Sequence, residues 1–248
     1  MKEPMQFMKS LFSSPNEVPA VFASPITPLS FAAIGDIHGR ADLLEQLLAR
    51  LGADVQVICV GDYIDRGDHS ADVLRILHAK PDIICLKGNH EEMLLNFLEQ
   101  PETYGRRWFR NGGLQTMASF GIAGLTETSP DARLRSARDA MVKAMGDPLI
   151  DWLDGLKSGW RAGNFAVVHA GADPALPLDA QAGHVLRWGH PDFMSKPRRD
   201  GVWVIHGHTI VDAPMMEQGR VAIDTGAYAS GRLTAAVVTD GDIRFEST

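Results

Sequence analysis

A chain of 248 residues, 45% hydrophobic and 22% charged, with 24 glycines and two cysteines, has the composition of an ordered globular domain and not of a disordered, collagen-like or disulfide-framework protein. Its formal net charge of −7 argues against sequence-independent binding to nucleic acid. No run reaches the roughly 18 consecutive apolar residues that a membrane-spanning helix needs.

Residues 1–29 carry Pro4, Pro15, Pro19, Pro25 and Pro28, a density that suits neither a helix nor a central strand, and they read as a flexible arm. Glu3, Pro4, Gln6 and Lys9 interrupt the apolar positions at the start of that arm, so no secretory h-region is read there and a cytoplasmic location is expected. Residues 30–248 read as one domain. From Phe31 the runs FAAI, VQVICV and IICLK each give way to a glycine-containing turn and then to a helix-period stretch: Ala41 to Leu51, Ser70 to Ala79 and Glu91 to Leu98. In the first helix Leu43, Leu44, Leu47, Leu48 and Leu51 form one broad apolar face. This alternation predicts parallel strands with helices outside. Residues 101–163 read as mainly helical, with a helix over 130–145 and no convincing strand. FAVV, VWVI, RVAI and LTAAVV then read as a second, more antiparallel group of strands. Cys59 and Cys85 lie inside apolar runs and read as reduced core thiols.

Polar residues gather where the apolar runs end, the edge at which open α/β sheets place ligands. FAAI ends in Gly35-Asp36-Ile37-His38-Gly39, and VICV in Gly61-Asp62-Tyr63-Ile64-Asp65-Arg66-Gly67. IICLK ends in Gly88-Asn89-His90-Glu91, VV in His169-Ala170-Gly171, and VWVI in His206-Gly207-His208. Capping and turn formation explain Asp and Asn at such places but leave His38, His90 and His169 without a reason. A shared metal site accounts for all of them. Carboxylate, imidazole and amide oxygen without thiolate suit Mn, Fe or Zn better than copper or calcium.

GDxHG, GDxxDRG and GNHE in this order, followed by HAG and a late GHT, resemble the phosphoprotein phosphatase family of calcineurin-like metallophosphoesterases, in particular its bacterial and phage branch. The resemblance runs from Phe31 to about Val238 and is loose between Pro101 and Gly163. It implies an α/β fold, a β-sandwich of two mixed sheets flanked by helices in four αββα layers. It further implies a dinuclear centre of two divalent ions, manganese first and iron or zinc next. Asp36, His38 and Asp62 would bind one ion; Asp62 would bridge to a second, held also by Asn89, His169 and His208. A water activated between the ions would attack phosphorus, His90 would protonate the leaving group, Asp65 would orient His90, and Arg66 would clamp the phosphate. Asn89 would also touch substrate, as would Tyr228, the aromatic of DTGAY.

A second phosphate clamp is harder to place. The branch often carries W-x-R, but here Trp188-Gly189-His190 has histidine in the last position. Arg187 is the expected clamp, His190 its rival, and Arg198 and Arg199 read as a solvated pair. Of Arg106, Arg107 and Arg110 at least two read as a solvated face beside buried Trp108 and Phe109, and Asn111-Gly112-Gly113 as a tight turn at the pocket rim. Glu91 reads as a first-turn acid favoured by the helix dipole, and His206 as a partner or core histidine behind His208. The expected activity is that of a metal-dependent phosphomonoesterase acting on phosphoserine, phosphothreonine and phosphotyrosine in phosphoproteins or phosphopeptides, or on small phosphate esters. A hydrolase of diadenosine polyphosphates, like the symmetrical bis(nucleosyl)-tetraphosphatases, ranks second, and a non-catalytic phosphate-binding module third. A monomer without nucleic-acid or membrane partners is expected.

Overall fold

The computed structural model describes residues 22–52 and 55–248; residues 1–21 of the arm lie outside the described residues. Strand β1 (Phe31–Ile34), helix α1 (Ala41–Leu51), β2 (Gln56–Cys59), α2 (Ser70–His78), β3 (Ile84–Cys85) and α3 (Asn89–Glu99) alternate in the order that the sequence predicts. The helical segment then supplies α4 (Pro101–Trp108), a kinked connection over Phe109–Gly113, α5 (Leu114–Ser119), α6 (Asp131–Met145) and α7 (Asp147–Asp154). After it come β4 (Gly159–Ala162), β5 (Phe165–Val168), α8 (Gly183–Trp188), β6 (Trp203–His206), β7 (Met215–Glu217), β8 (Arg220–Ala222), α9 (Ala227–Ser230), β9 (Thr234–Thr239) and β10 (Asp242–Ser247).

Among the described residues these strands form two five-stranded mixed sheets, ordered β10-β9-β1-β2-β3 and β4-β5-β6-β8-β7. The first sheet is parallel through β1, β2 and β3. The late strands differ from expectation in two ways. Strands β5, β6 and β8 run parallel to one another, because residues 169–202, with α8, cross back between β5 and β6, and the β7 hairpin reverses the chain before β8. Strand β9, the LTAAVV run, leaves the second group and pairs antiparallel with β1 in the first sheet. Strand β4 also lies inside the stretch read as strandless. It is a short edge strand hairpinned to β5, and the four residues GWRA are too few for the alternation of Trp160 and Ala162 about Arg161 to mark a strand.

The two sheets pack face to face through Phe31, Ala33, Ile58, Val60 and Leu86 on one side and Phe165, Val167, Ile205, Val221 and Ile223 on the other. The outer face of the first sheet is covered by helices, with Leu43, Leu44, Leu47, Phe97, Trp108 and Met141 in one buried cluster. Each side chain of this size that is fully buried contributes about 1.5–3 kcal/mol. The outer face of the second sheet carries a smaller cluster, Val168, Phe193 and Val204, with Leu186 of α8 packed on it. Residues 22–29, read with the arm, lie against this second sheet: Phe22 meets Trp203 edge-on at 4.9 Å, and the Ile26 N–H donates to Asn164 Oδ1 at 2.8 Å. No described helix is long and apolar enough to cross a membrane. Both sheets send the carboxyl ends of their parallel strands to one place.

Candidate active site

The turn after β2 puts Asp62 at the centre of that place, with its two carboxylate oxygens turned to different groups. Oδ2 lies 3.6 Å from His38 Nε2, of the turn after β1, and 3.7 Å from His90 Nε2, at the start of α3. Oδ1 lies 3.3 Å from His169 Nε2, after β5. Asn89 completes the second group, since His169 Nε2 and His208 Nδ1 both approach its Oδ1 at 2.8 Å. One donor atom from each of Asp62, His169 and His208 lies within 4.8 Å of the others, and the same holds for His38, Asp62 and His90. Burial would raise the Asp62 carboxyl, but the imidazoles of His169, His90 and His38 hold it well below the ordinary carboxylate range.

Asp36 stands beside these groups, not within either. Both its oxygens accept the His208 backbone N–H at 3.1 Å. Burial, then the neighbouring charges of Asp224 and Asp62, push its carboxyl well up. Asp224 was missed in the sequence. It follows β8 as Asp36 follows β1, at the same edge of the sandwich and directly before Thr225-Gly226, and that repeated position was the signal. Its carboxyl is likewise raised by burial. Three buried carboxylates beside four imidazoles and an amide oxygen, with no thiolate among them, form a donor set that fits first-row divalent ions.

His90 and Asp65 form the second element. The Nδ1–H of His90 donates to Asp65 Oδ2 at 2.6 Å, which leaves Nε2 facing the cluster. Burial disfavours the charged ring, yet Asp62 and Asp65 together raise its pKa. His38 is fixed the other way: its Nδ1–H donates to the Ile64 carbonyl at 2.7 Å, and burial lowers its pKa to about 3. His208 is also lowered by burial, to about 4. Arg66 bridges the pair, with Nη1 3.1 Å from His38 Nε2 and Nη2 3.3 Å from His90 Nε2. Tyr228 stands over both, its ring 5.4 Å from that of His38 and 5.0 Å from the Arg66 guanidinium carbon.

These turns are held under backbone strain. Of the described non-glycine residues, six have positive φ: His38, Asp62, Asp65, Arg66, His208 and Gln218. Five of those six are site residues, and each costs on the order of 1 kcal/mol. Glu91 helps to hold the strained β2 turn. Its carboxylate accepts the backbone N–H groups of Asp62, Tyr63 and Gly88 at 2.8–2.9 Å, which is a wider role than the dipole reading gave it. Burial pushes Glu91 up to about 7. Gly88 makes the close approach possible, since a Cβ there would lie 2.2 Å from Asp62 Oδ1.

The second clamp is not where the sequence placed it. The Arg187 guanidinium is engaged by Glu92 and by Ser158 Oγ, and no hydrogen bond or ion pair joins it to the cluster. Arg187, in the last turn of α8, meets α3 two residues past His90. Arg187→Ala is therefore expected to leave KM and kcat within about twofold of wild type and to cost about 1 kcal/mol of stability, read as a lower denaturation midpoint. His190 is likewise turned away: Nδ1 accepts the Asp192 N–H at 3.2 Å, and Nε2 lies 3.8 Å from Asp173. Arg198, expected in solvent, is 5% exposed. It donates to the carbonyls of Asp173 and Leu176 and pairs with Asp200, tying down the loop after His169. The Asn111-Gly112-Gly113 stretch, read as a tight turn, is a kink between α4 and α5, with Gly112 at a φ of 105°.

Comparison with known proteins agrees with this architecture. The profile of the calcineurin-like phosphoesterase family matches residues 29–212. The asymmetrical bis(5'-nucleosyl)-tetraphosphatase PrpE of Bacillus velezensis is 28% identical over 236 residues, covering 83% of this chain and 88% of the relative. Serine/threonine-protein phosphatase 2 of Salmonella typhimurium is 28% identical over 215 residues, covering 81% and 89%. Among solved structures, a candidate diadenosine tetraphosphatase superposes with a TM-score of 0.63 at 20% identity over 91% of this chain and 98% of that one. A cold-active protein-tyrosine phosphatase of a psychrophilic Shewanella superposes with a TM-score of 0.54 at 17% identity over 89% and 80%. Both are likenesses of fold.

Proposed function

The chain belongs to the calcineurin-like phosphoesterase family, and from that premise we propose that it is a metal-dependent phosphomonoesterase whose substrates are phosphoserine and phosphothreonine in proteins and peptides. The observation that carries the reading is the division of Asp62, one oxygen to each of two donor groups, beside a histidine and carboxylate pair at hydrogen-bond distance. His38, Asp62 and Asp36 would hold one divalent ion and Asp62, Asn89, His169 and His208 the other, with manganese the first candidate. Bound there, the ions supply Lewis acidity and an activated water.

The chain's own groups do the rest. Arg66 presents two guanidinium nitrogens in a planar fork, the geometry that grips two phosphate oxygens at once. Tyr228 backs that fork with its ring face and limits where the guanidinium swings. His90 presents Nε2 to the ester oxygen that leaves, while Asp65 fixes Nδ1 at 2.6 Å and balances the charge of the protonated ring. A non-catalytic module has no chemical use for that pair.

Hydrolysis of dinucleoside tetraphosphates is the second reading, favoured by the relatives named PrpE, which match over most of their length. The purified protein with manganese, given a phosphopeptide panel and diadenosine tetraphosphate side by side, is expected to turn over phosphopeptides faster. Faster turnover of the dinucleotide overturns the protein phosphatase reading.

A further inference from the structure

The segment from α4 to α5 enters the site from outside the metal-facing motifs, and it does so at Asp65. That carboxylate is wholly buried, at 0% exposure, and it meets three side-chain donors. His90 Nδ1–H is one. The second is the indole Nε1–H of Trp108, at 2.8 and 3.0 Å from the two oxygens. The third is the Thr116 hydroxyl, at 2.6 Å from Oδ1. The same Thr116 oxygen accepts the Asp65 backbone N–H at 2.9 Å, and Ser70 Oγ lies 3.1 Å from that nitrogen. Thr116 thus closes a ring on Asp65, donating to its side chain and accepting from its main chain, at a residue whose φ is 71°.

The next residue is held from the same segment. The Arg66 N–H points to the Gly112 carbonyl at 3.4 Å, and a Cβ on Gly112 would stand 2.6 Å from that nitrogen at a φ of 105°. Only glycine lets the kink between α4 and α5 lie this close. The kink brings Trp108, on one side of it, and Thr116, on the other, to the same carboxylate. An ordinary α-helical continuation would rotate one of them away, because positions eight apart lie about 80° apart on a regular helix.

The geometry points to Trp108 and Thr116 as positioning residues of the reaction, which hold the Asp65 carboxylate in the orientation that fixes His90 as proton donor. A carboxylate buried with no route to water depends on its donors to remain where its partner needs it. With the indole and hydroxyl in place, the remaining direction on Oδ2 is the one that His90 fills. With either removed, Asp65 is free to turn and His90 loses its anchor, while His38, Asn89, His169 and His208 keep their places around Asp62. Neither residue lies in GDxHG, GDxxDRG or GNHE. The helical segment, which the motifs leave without a role, becomes the clamp of the acid.

This inference rests on the reading of His90 as proton donor, so the test is built to separate the two. Thr116→Val keeps the shape and removes both hydrogen bonds; Thr116→Ser keeps both; Trp108→Phe keeps a buried ring and removes the N–H. Each is assayed with manganese on phosphoserine peptide and on 4-nitrophenyl phosphate, whose leaving group needs little protonation, and each is analysed for bound metal. Thr116→Val and Trp108→Phe are each expected to lower kcat on the peptide about tenfold, the worth of one hydrogen bond to a charged group. The aryl ester should lose less than about threefold at unchanged metal content, and Thr116→Ser should restore peptide turnover to within about twofold. Equal losses on both esters, or no loss on the peptide, overturn the inference when His90→Asn itself separates the esters. Equal losses in His90→Asn overturn the proton-donor reading, and the inference with it.

Discussion

Asp62→Asn is expected to lower turnover by about 10²–10³ or more and to reduce the metal bound by the purified protein. The substitution keeps the size and planarity of the side chain. It also keeps the backbone, because asparagine tolerates the left-handed φ of 54° that Asp62 adopts. The charge is what goes. That charge sits at 1% exposure among His38, His90 and His169, and removing one preorganised electrostatic partner from a buried site costs about 10²–10³ in turnover. Elemental analysis after dialysis against manganese, with kinetics on the same sample, checks it. Two ions at wild-type affinity would show that Asp62 does not serve both groups.

His90→Asn is expected to leave metal content unchanged and to cut turnover of phosphoserine peptide by about 10²–10⁴, the usual worth of a positioned general acid. The ring contributes Nε2 toward Asp62 and Arg66, at 3.7 Å from the Asp62 oxygen, while its Nδ1 is engaged by Asp65 at 2.6 Å. The Asp62 contact that matters for the main chain, from the His90 backbone N–H to Oδ1 at 3.0 Å, survives any side-chain change. An aryl phosphate should suffer less than an alkyl one, and the ratio of the two losses, measured at several pH values, checks the assignment.

The first half of the fold was legible in the sequence because its signals are local. The leucine spacing of α1 marks its bounds as the structure has them, Ala41–Leu51, and the glycine turns after β1, β2 and β3 separate strand from helix. The second half was not, because strand direction depends on where a connection crosses, and nothing in FAVV or VWVI says whether the chain between them returns on the same side. The candidate site divides in the same way. Asp36, His38, Asp62, Asn89, His90, His169 and His208 share one sequence position, the end of a buried strand, and the sandwich brings those ends together. Trp108 and Thr116 reach Asp65 across 43 and 51 residues, by a kink at Gly112 whose glycines mark a turn but not what the two flanking side chains meet. Trp108 was visible only as a buried aromatic, and Thr116 only as one polar residue in a helix. Arg187 failed for a related reason: its sequence neighbour Trp188 suggested the pocket, but Glu92, 95 positions away, decides where the guanidinium goes.

The left-handed residues set the site against any search for a more stable form of this chain. A glycine at Arg66 or Asp65 would relieve a penalty of about 1–2 kcal/mol at an entropic cost of only about 0.4–1 kcal/mol in the unfolded chain; at exposed Gln218, in the β7 hairpin, the same exchange touches nothing that reacts. Selection by heat or protease resistance alone would favour backbone relief wherever side-chain contacts are few, and Arg66, with its guanidinium on two ring nitrogens and a tyrosine face, has few that the fold requires. Libraries sorted without an activity gate would drift toward well-folded proteins that have lost the phosphate fork. In this molecule robustness and competence are therefore to be selected together, with the left-handed His38, Asp62, Asp65, Arg66 and His208 held constant along with the groups they meet, Asp36, Asn89, His90, His169, Trp108 and Thr116.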